Sequence, residues 1–395
     1  MIHDVVVIGA GPAGSYAAYC LAVRGYDVVV LEEDPLVGKP TYCSGLIGLE
    51  AFAKHNLPIN AIIRSFTAAR FYSPYGTEAL VSSDRPVAYV VDRGEFDRSL
   101  ARQAQEAGAR YRLATKCIGI SHVDGGITAE IRGLEGEERI RARAGIVATG
   151  VKYNLLNGLG IARPKRFMEA AQVEVRMRDV KEVEVYLGRK ISPGSFGWAI
   201  PLGNETVRLG ICNGGKAIRY LQGLLENPLI KPRLLDQAPR IKSKPIPISP
   251  VKRSYLDHVL LVGDAAGQVK PTTGGGIHYS ILCAEIAART LDEAFRVGNF
   301  GERQMAMYES RWRKEIGVEL RTGSFFRRLG GWLSDYQIDY LIRSYRNPAL
   351  RDLVQRTAAF ERHSGFILTL CCSQFFWDSF WARLKSKVFR PLSGE

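Results

Sequence analysis

The chain has 395 residues, 46% of them hydrophobic and 24% charged, a balance of a folded globular protein and not of a disordered one. That length allows two domains, or one large nucleotide domain carrying an inserted second region. The net charge of +14 calls for an acidic partner; no nucleic-acid-reading motif accompanies it, so anionic lipid or a phosphorylated substrate is expected and nucleic acid is not.

The first strand is expected from residue 4, which leaves no room for a signal peptide ahead of it. Val5–Ile8 is a short β-branched run of the kind buried on both faces of a parallel sheet. Gly9-Ala10-Gly11-Pro12-Ala13-Gly14 follows at once, then a helical pattern over 15–24, a stop at Gly25 and a second strand over 26–31 ending in Glu32-Glu33. Strand, glycine turn, helix and strand in this order form a dinucleotide-binding unit. Gly9 makes the turn, Gly11 admits a pyrophosphate, and Gly14 lets helix and strand pack closely. Glu32, 18 residues past Gly14, stands where an acid takes ribose hydroxyls.

Residues 36–48 read as a loop containing Cys43-Ser44-Gly45. Cys43 is either a packed thiol or one placed near the cofactor. Residues 66–83 read as a hairpin around Ser-Pro-Tyr-Gly. A helix is expected over 94–108, with Arg93 at its start. Residues 110–123 and 127–132 read as strands joined by Asp124-Gly125-Gly126, a meander that 140–144 continues, and 144–150 returns to the nucleotide sheet. Residues 151–248 shift to strand-like runs, an antiparallel sheet inserted into the nucleotide domain. Val259–Val262 restarts a buried strand, followed by Gly263-Asp264-Ala265-Ala266-Gly267 and by Gly274-Gly275-Gly276-Ile277 opening a helix. This second strand–glycine–helix unit suits a cofactor whose long ribityl chain is held by a distant carboxylate, Asp264, and so points to FAD. Residues 301–395 read as helices with 16 Lys+Arg against 10 Asp+Glu. The apolar run 364–377 is shorter than the roughly 20 residues a membrane span needs. The aromatics Phe366, Phe375, Phe376, Trp377, Phe380 and Trp381, followed by Arg383, Lys385, Lys387 and Arg390, suit a helix lying in a bilayer interface or one capping the pocket. Seven cysteines without a C-x-x-C pair give no zinc site and suit a reducing compartment.

Taken together, GAGPAG, Glu32, Arg93 within VDRGEFD, the Ala148-Thr149-Gly150 strand end and GDAAGQVKPTTGGGI resemble FAD-dependent oxidoreductases of the p-hydroxybenzoate hydroxylase-like fold, over roughly residues 1–300. Pro193-Gly194-Ser195-Phe196-Gly197-Trp198-Ala199-Ile200-Pro201 is similar to the PxxYxWxFP signature of geranylgeranyl reductases, with Phe196 for Tyr and Ile200 for Phe. The Cys43–Gly45 loop resembles that family's cysteine–glycine segment.

The resemblance implies an α/β fold. A Rossmann-like FAD-binding domain (1–65, 84–160 and 250–300) would carry an inserted antiparallel β-sheet substrate domain (66–83 and 161–249) and a C-terminal helical region (301–395). It implies cofactor contacts from Gly9, Gly11, Ala13, Gly14, Glu32, Glu33, Cys43, Ser44, Gly45, Arg93, Gly263, Asp264, Gly274, Gly275, Gly276 and Ile277. Cys43, Phe196 and Trp198 would be catalytic, and Phe196, Trp198, Ile200 and Pro201 would bind substrate. The expected partners are an isoprenoid lipid, an electron donor (NAD(P)H or a ferredoxin-like protein) and a membrane surface, met by a cytoplasmic monomer that holds no metal. Two other classes share the fold. FGWAIP is one step from the WxWxIP signature of flavin-dependent halogenases, which with the monooxygenases would consume O2. The Rab GDP-dissociation inhibitors bind prenyl groups without using flavin.

Overall fold

A computed structural model of the chain describes residues 2–374 except 41 and 238, together with 377 and 378. The aromatic and basic residues singled out at 375, 376, 380, 381, 383, 385, 387 and 390 lie outside the described residues. Among the described residues no helix is long and apolar enough to cross a membrane.

The sequence Val5-Val6-Val7-Ile8 is buried on both faces in the strand Ile2–Ile8, at the centre of an eight-stranded sheet. It pairs in parallel with Val28–Leu31 on one side and with Gly136–Val147 on the other. Val259–Leu261 and Arg110–Arg112 extend the parallel array outward. Helices Pro12–Ala22, Arg93–Glu106 and Ile277–Val297 cover one face; the hairpin Lys116–Val123/Gly126–Gly133 pairs with the far half of Gly136–Val147. The stretch 110–123 is therefore two strands, not one. Arg110–Arg112 joins the parallel edge and Lys116–Val123 the hairpin. Conversely, the strands expected over 140–144 and 144–150 are one continuous strand.

A second sheet of seven strands contains the hairpin Ala68–Tyr72/Glu78–Ser82, Phe167–Arg176, Val183–Leu187, Phe196–Gly203, Thr206–Asn213 and Lys242–Pro247. It is antiparallel except at one seam, where Val183–Leu187 pairs in parallel with Ala68–Tyr72. Strand periodicity sorts its side chains. Ala171, Val173, Ala199, Leu209 and Ile211 face helix Ala217–Leu225, while Met168, Trp198, Ile200 and Cys212 face the rest of the molecule. Against this second face lies a three-stranded sheet of Leu46–Gly48, Ala88–Val91 and Ile62–Phe66. The loop read over 36–48 thus ends in a strand, too short for its pattern to register.

Helix Glu302–Gly330 begins inside the nucleotide core, so the boundary placed at 300 cuts through it. Met305, Tyr308 and Trp312 are fully buried there. Tyr308 donates to Leu261 O (2.8 Å) and accepts from Gln268 Nε2 (2.8 Å), whose Oε1 receives Gly263 N–H (2.8 Å). This buried chain of hydrogen bonds holds the turn that carries Asp264.

Space for the Trp198 ring comes from Gly210 on the neighbouring strand. A Cβ there would lie 2.3 Å from the indole, and the ring is enclosed on that face of the sheet. Gly210→Ala is expected to destabilise the protein by about 1–3 kcal/mol, as overpacking of a filled core does, measured as a lowered urea midpoint.

Candidate functional site

Local sequence builds the first part of the site. Gly9 has φ +103°, and a Cβ on it would stand 2.5 Å from Ala148 O; a Cβ on Gly14 would stand 1.9 Å from Gly9 O. Both glycines are therefore needed by the protein itself. Gly11 differs. A Cβ there would meet no protein atom within 4 Å, so no packing contact demands a glycine and the space above it is open to a ligand. Helices Pro12–Ala22 and Ile277–Val297 begin at Gly11 and Gly276 with no side-chain cap and no acid in the first turn. Among the described residues, side-chain caps are present at three other helices, where Asp92 accepts from Glu95 N, Ser334 forms a capping box with Gln337 and Asn347 accepts from Ala349 N. Two uncapped N-termini leave backbone donors and positive dipole ends for an anion.

Tertiary packing brings these pieces together. A Cβ on Gly263 would lie 3.1 Å from Ala13 Cβ and 3.1 Å from Ser280 Oγ, so the two strand–glycine–helix units touch at this residue. Asp264 Oδ1 lies beside Gly276, 3.2 Å from where its Cβ would be, and Asp264 Oδ2 is 3.6 Å from Lys244 Nζ. Glu32 closes the strand end, its Oε2 accepting Ala10 N–H (2.7 Å) and its Oε1 accepting Asp34 N–H (3.0 Å). Glu33 is instead engaged by Lys152 and Lys116, so of the two acids Glu32 is the one at the loop. A bare Gly11, two open helix ends and acids at both units fit a dinucleotide with a ribityl arm, which is FAD.

The second part lies on the inward face of the seven-stranded sheet. Gln172 Nε2 donates to Cys43 O (3.1 Å) and Arg208 Nη1 to Ser44 O (2.6 Å), while Arg208 also grips Glu174 (2.7 and 3.0 Å). From the nucleotide side, Arg93 makes a two-point pair with Asp97 (2.9 and 3.1 Å) and reaches the Cys43 thiol. Burial works against the Arg93 charge, but Asp97 and Cys43 outweigh it and hold the guanidinium above the ordinary arginine value. The Cys43–Gly45 loop is thus held between both layers. Gly274 abuts the same face, since a Cβ on it would meet Met168 Cε at 3.0 Å and Ile246 Cδ1 at 3.1 Å. Phe196, Trp198 and Ile200 cluster there, Phe196 and Trp198 with ring centroids 6.0 Å apart. The Trp198 indole N–H is buried and meets no acceptor among the described residues, a cost of about 1–3 kcal/mol that an acceptor on a bound molecule would relieve. Pro201, expected beside them, pairs with Val207 and falls on the opposite face by the same alternation. A groove of about 430 Å³ lined by Arg70, Tyr72, Glu184 and Arg233 contains none of the expected residues.

Sequence reasoning missed the segment Phe360–His363. Glu361 Oε2 pairs with Lys270 Nζ (2.7 Å) and lies 3.2 Å from His278 Nδ1, and its Oε1 accepts Gly48 N–H (2.6 Å). Although burial opposes its charge, Lys270 and His278 hold the Glu361 carboxyl well below the usual carboxylate range. His363 Nε2 faces Phe360 O (3.0 Å), an acceptor only, so Nε2 carries the proton and Nδ1 accepts from Thr272 Oγ1 (2.6 Å). Burial first, then Lys270, pushes its pKa down to about 4. Nothing local marks these residues; the partners of Glu361 lie 82 to 313 positions away.

Residues 3–185 match the pyridine nucleotide-disulphide oxidoreductase family. Over 355 residues the chain is 34% identical to the digeranylgeranylglycerophospholipid reductase of Methanocaldococcus jannaschii, spanning 86% of this chain and 90% of that one. Among solved structures it resembles a geranylgeranyl bacteriochlorophyll reductase-like protein from Thermoplasma acidophilum, with TM-score 0.85, 24% identity and coverage of 98% and 99%. It also resembles a myxobacterial chondrochloren halogenase, with TM-score 0.64, 20% identity and 81% of each chain covered.

Two outcomes follow from this geometry. Gly11→Val, whose side chain enters open space at φ −69°, should leave the melting temperature unchanged yet weaken FAD binding on the order of 100-fold, about 2.7 kcal/mol, read from flavin absorbance. His363 binds its proton less readily folded than unfolded, so its contribution is complete above pH 6.5 and is lost as pH falls towards about 4. Glu361 likewise withdraws its contribution as pH falls below 4.5. Protection factors for hydrogen exchange at 360–364, referenced to the intrinsic exchange rate at each pH, should therefore fall on acidification from pH 6.5, and His363→Asn should flatten the first part of that profile.

Proposed function

The chain belongs to the digeranylgeranylglycerophospholipid reductase family, and we propose that it saturates carbon–carbon double bonds of the geranylgeranyl chains of a lipid or related prenyl compound, with FAD as its redox cofactor. The observation that carries this reading is the shared face on which Phe196, Trp198 and Ile200, the Cys43–Gly45 loop and the Gly274 turn meet. Reduced FAD, when bound, supplies a hydride to one alkene carbon; the other carbon takes a proton, and an electron donor restores the flavin.

The chain's own residues have definite tasks in this scheme. Gly11 and Gly276 offer open helix ends to the phosphates, and Glu32 and Asp264 take hydroxyls of the ribose and ribityl arm. An isolated alkene carries no charge to grip, so its position must come from apolar walls. Phe196, Trp198 and Ile200 provide them. Cys43, fixed by Gln172 through its carbonyl and facing Arg93, is the thiol offered as proton donor. The electron donor is NAD(P)H or a ferredoxin-like protein, and the excess of basic residues suits a substrate drawn from an anionic membrane surface.

The test is direct. Protein loaded with FAD and reduced chemically without oxygen should convert geranylgeranyl lipids to products heavier by pairs of hydrogens, resolved by mass spectrometry. Unchanged lipids across several head groups would overturn the assignment, and a product formed only with O2 would place the chain with the oxygen-consuming relatives. Cys43→Ala should keep its flavin but saturate alkenes about 100-fold or more slowly, the usual loss of a general acid.

A further inference from the structure

Helix Glu302–Gly330 ends where the pieces of the site converge. A Cβ on Gly323 would touch Pro271 Cδ and Thr272 Cγ2, each at 3.3 Å, next to the glycine turn. Two turns later Gly331 lies against Gly194, whose Cβ would be 3.3 Å from Gly331 Cα. Residues four apart share a helix face, so Arg327 stands midway between these contacts, on the side that spans from the Gly274 turn to the Pro193–Pro201 run. Its charge reaches the Cys212 thiol. Cys212 Sγ is 3.0 Å from Ser195 Oγ, and Cys212 pairs across the strand with Phe196 in the cluster that holds Trp198 and Ile200.

Arg93 and Arg208, whose guanidiniums reach the same face, each grip a carboxylate. Arg327 has neither a hydrogen bond from its guanidinium nor an ion pair or ring partner among the described residues, although desolvation depresses its proton affinity. A partly desolvated cation without a partner is costly. Its planar fork matches the oxygens of a phosphate.

We propose that Arg327 forms an anion subsite that binds the phosphate or diphosphate group of the prenyl substrate, with the isoprenoid chain running from it along Phe196, Trp198 and Ile200. This rests on the reading of the chain as a prenyl-lipid reductase and adds the residue that selects the anionic end. Arg327 then sets substrate preference, and the reducing chemistry proceeds elsewhere on the same face.

The experiment is an equilibrium titration of oxidised, FAD-loaded protein, followed by flavin absorbance and calorimetry, with three probes: geranylgeranyl phosphate, geranylgeraniol and inorganic phosphate. Native protein should prefer the prenyl phosphate to the alcohol by roughly 10- to 100-fold, the range of a hydrogen bond to a charged group. Arg327→Gln should erase that preference while leaving alcohol binding and the melting temperature unchanged, and Arg327→Lys should restore part of it. A preference that survives in Arg327→Gln overturns the subsite, as does equal loss of both prenyl ligands. Inorganic phosphate binding as tightly as the prenyl phosphate would make this a free-phosphate site and overturn the substrate assignment. Native protein that binds both prenyl ligands equally defeats the subsite alone, whereas native protein that binds neither defeats the reductase reading itself.

Discussion

The clamp on the Cys43–Gly45 loop is the contact on which the arrangement depends. Arg208 is 7% exposed, and its guanidinium is shared between Glu174 on its own sheet and Ser44 O on the loop. Such a buried charge is tolerated only when its hydrogen bonds are met, so the loop carbonyl and the arginine require each other. Gln172 repeats the arrangement one strand away, and Arg93 approaches from the nucleotide layer. Losing the clamp would leave two layers whose apolar surfaces still attract but have no fixed register. The loop bearing Cys43 would then have no defined height above Trp198.

The helices that begin at Gly11 and Gly276 have neither a side-chain cap nor an acid in the first turn. Helix Arg93–Glu106 and helix Asp335–Ser344 satisfy their first N–H groups with Asp92 and Ser334. Four helices start at glycines without a side-chain cap, and of these the ones at Gly48 and Gly301 carry an acid in the first turn while those at Gly11 and Gly276 do not. A cap contributes about 1 kcal/mol, so leaving it out at both places where Ala13, Gly263 and Ser280 meet is a cost that an anionic cofactor offsets. Arg327 follows the same logic in the opposite sign. Where a side chain is left without its partner inside a packed protein, the partner is expected from outside.

Glu361 adds a third tie. Its carboxylate joins Lys270 before the glycine turn, His278 in the following helix and the backbone of Gly48 at the three-stranded sheet. The Gly274–Gly276 turn is therefore braced from the C-terminal side by a group charged at neutral pH. His363 stays neutral beside it because Lys270 and burial both oppose a further cation. Helix Glu302–Gly330, whose Glu319 accepts the N–H groups of His363 and Ser364 (2.9 Å each), is also the one whose Tyr308 holds the Asp264 turn, so that turn and the C-terminal segment are coupled through one helix.

The amino-acid sequence by itself determined what depends on neighbours in the chain. Gly14 is required by Gly9 O five residues before it, and Gly9 by its own positive φ; Gly263 and Gly274 also take positive φ, a local demand that a glycine-rich pattern records. The alternation of Phe196, Trp198 and Ile200 places them on one face because strand side chains repeat every two residues. It equally places Pro201 on the other, a consequence that resemblance to a signature had obscured. Only the tertiary structure decided which faces meet. The parallel seam between 68–72 and 183–187, the short strand Leu46–Gly48, the split of 110–123, the bond from Gly48 to Glu361 and the placing of Arg327 between the Gly274 turn and the Pro193–Pro201 run all depend on pairings between distant segments. Local pattern carries no record of them, because a hydrogen bond or an unmet charge is defined by what lies across a gap in space and not by what precedes it along the chain.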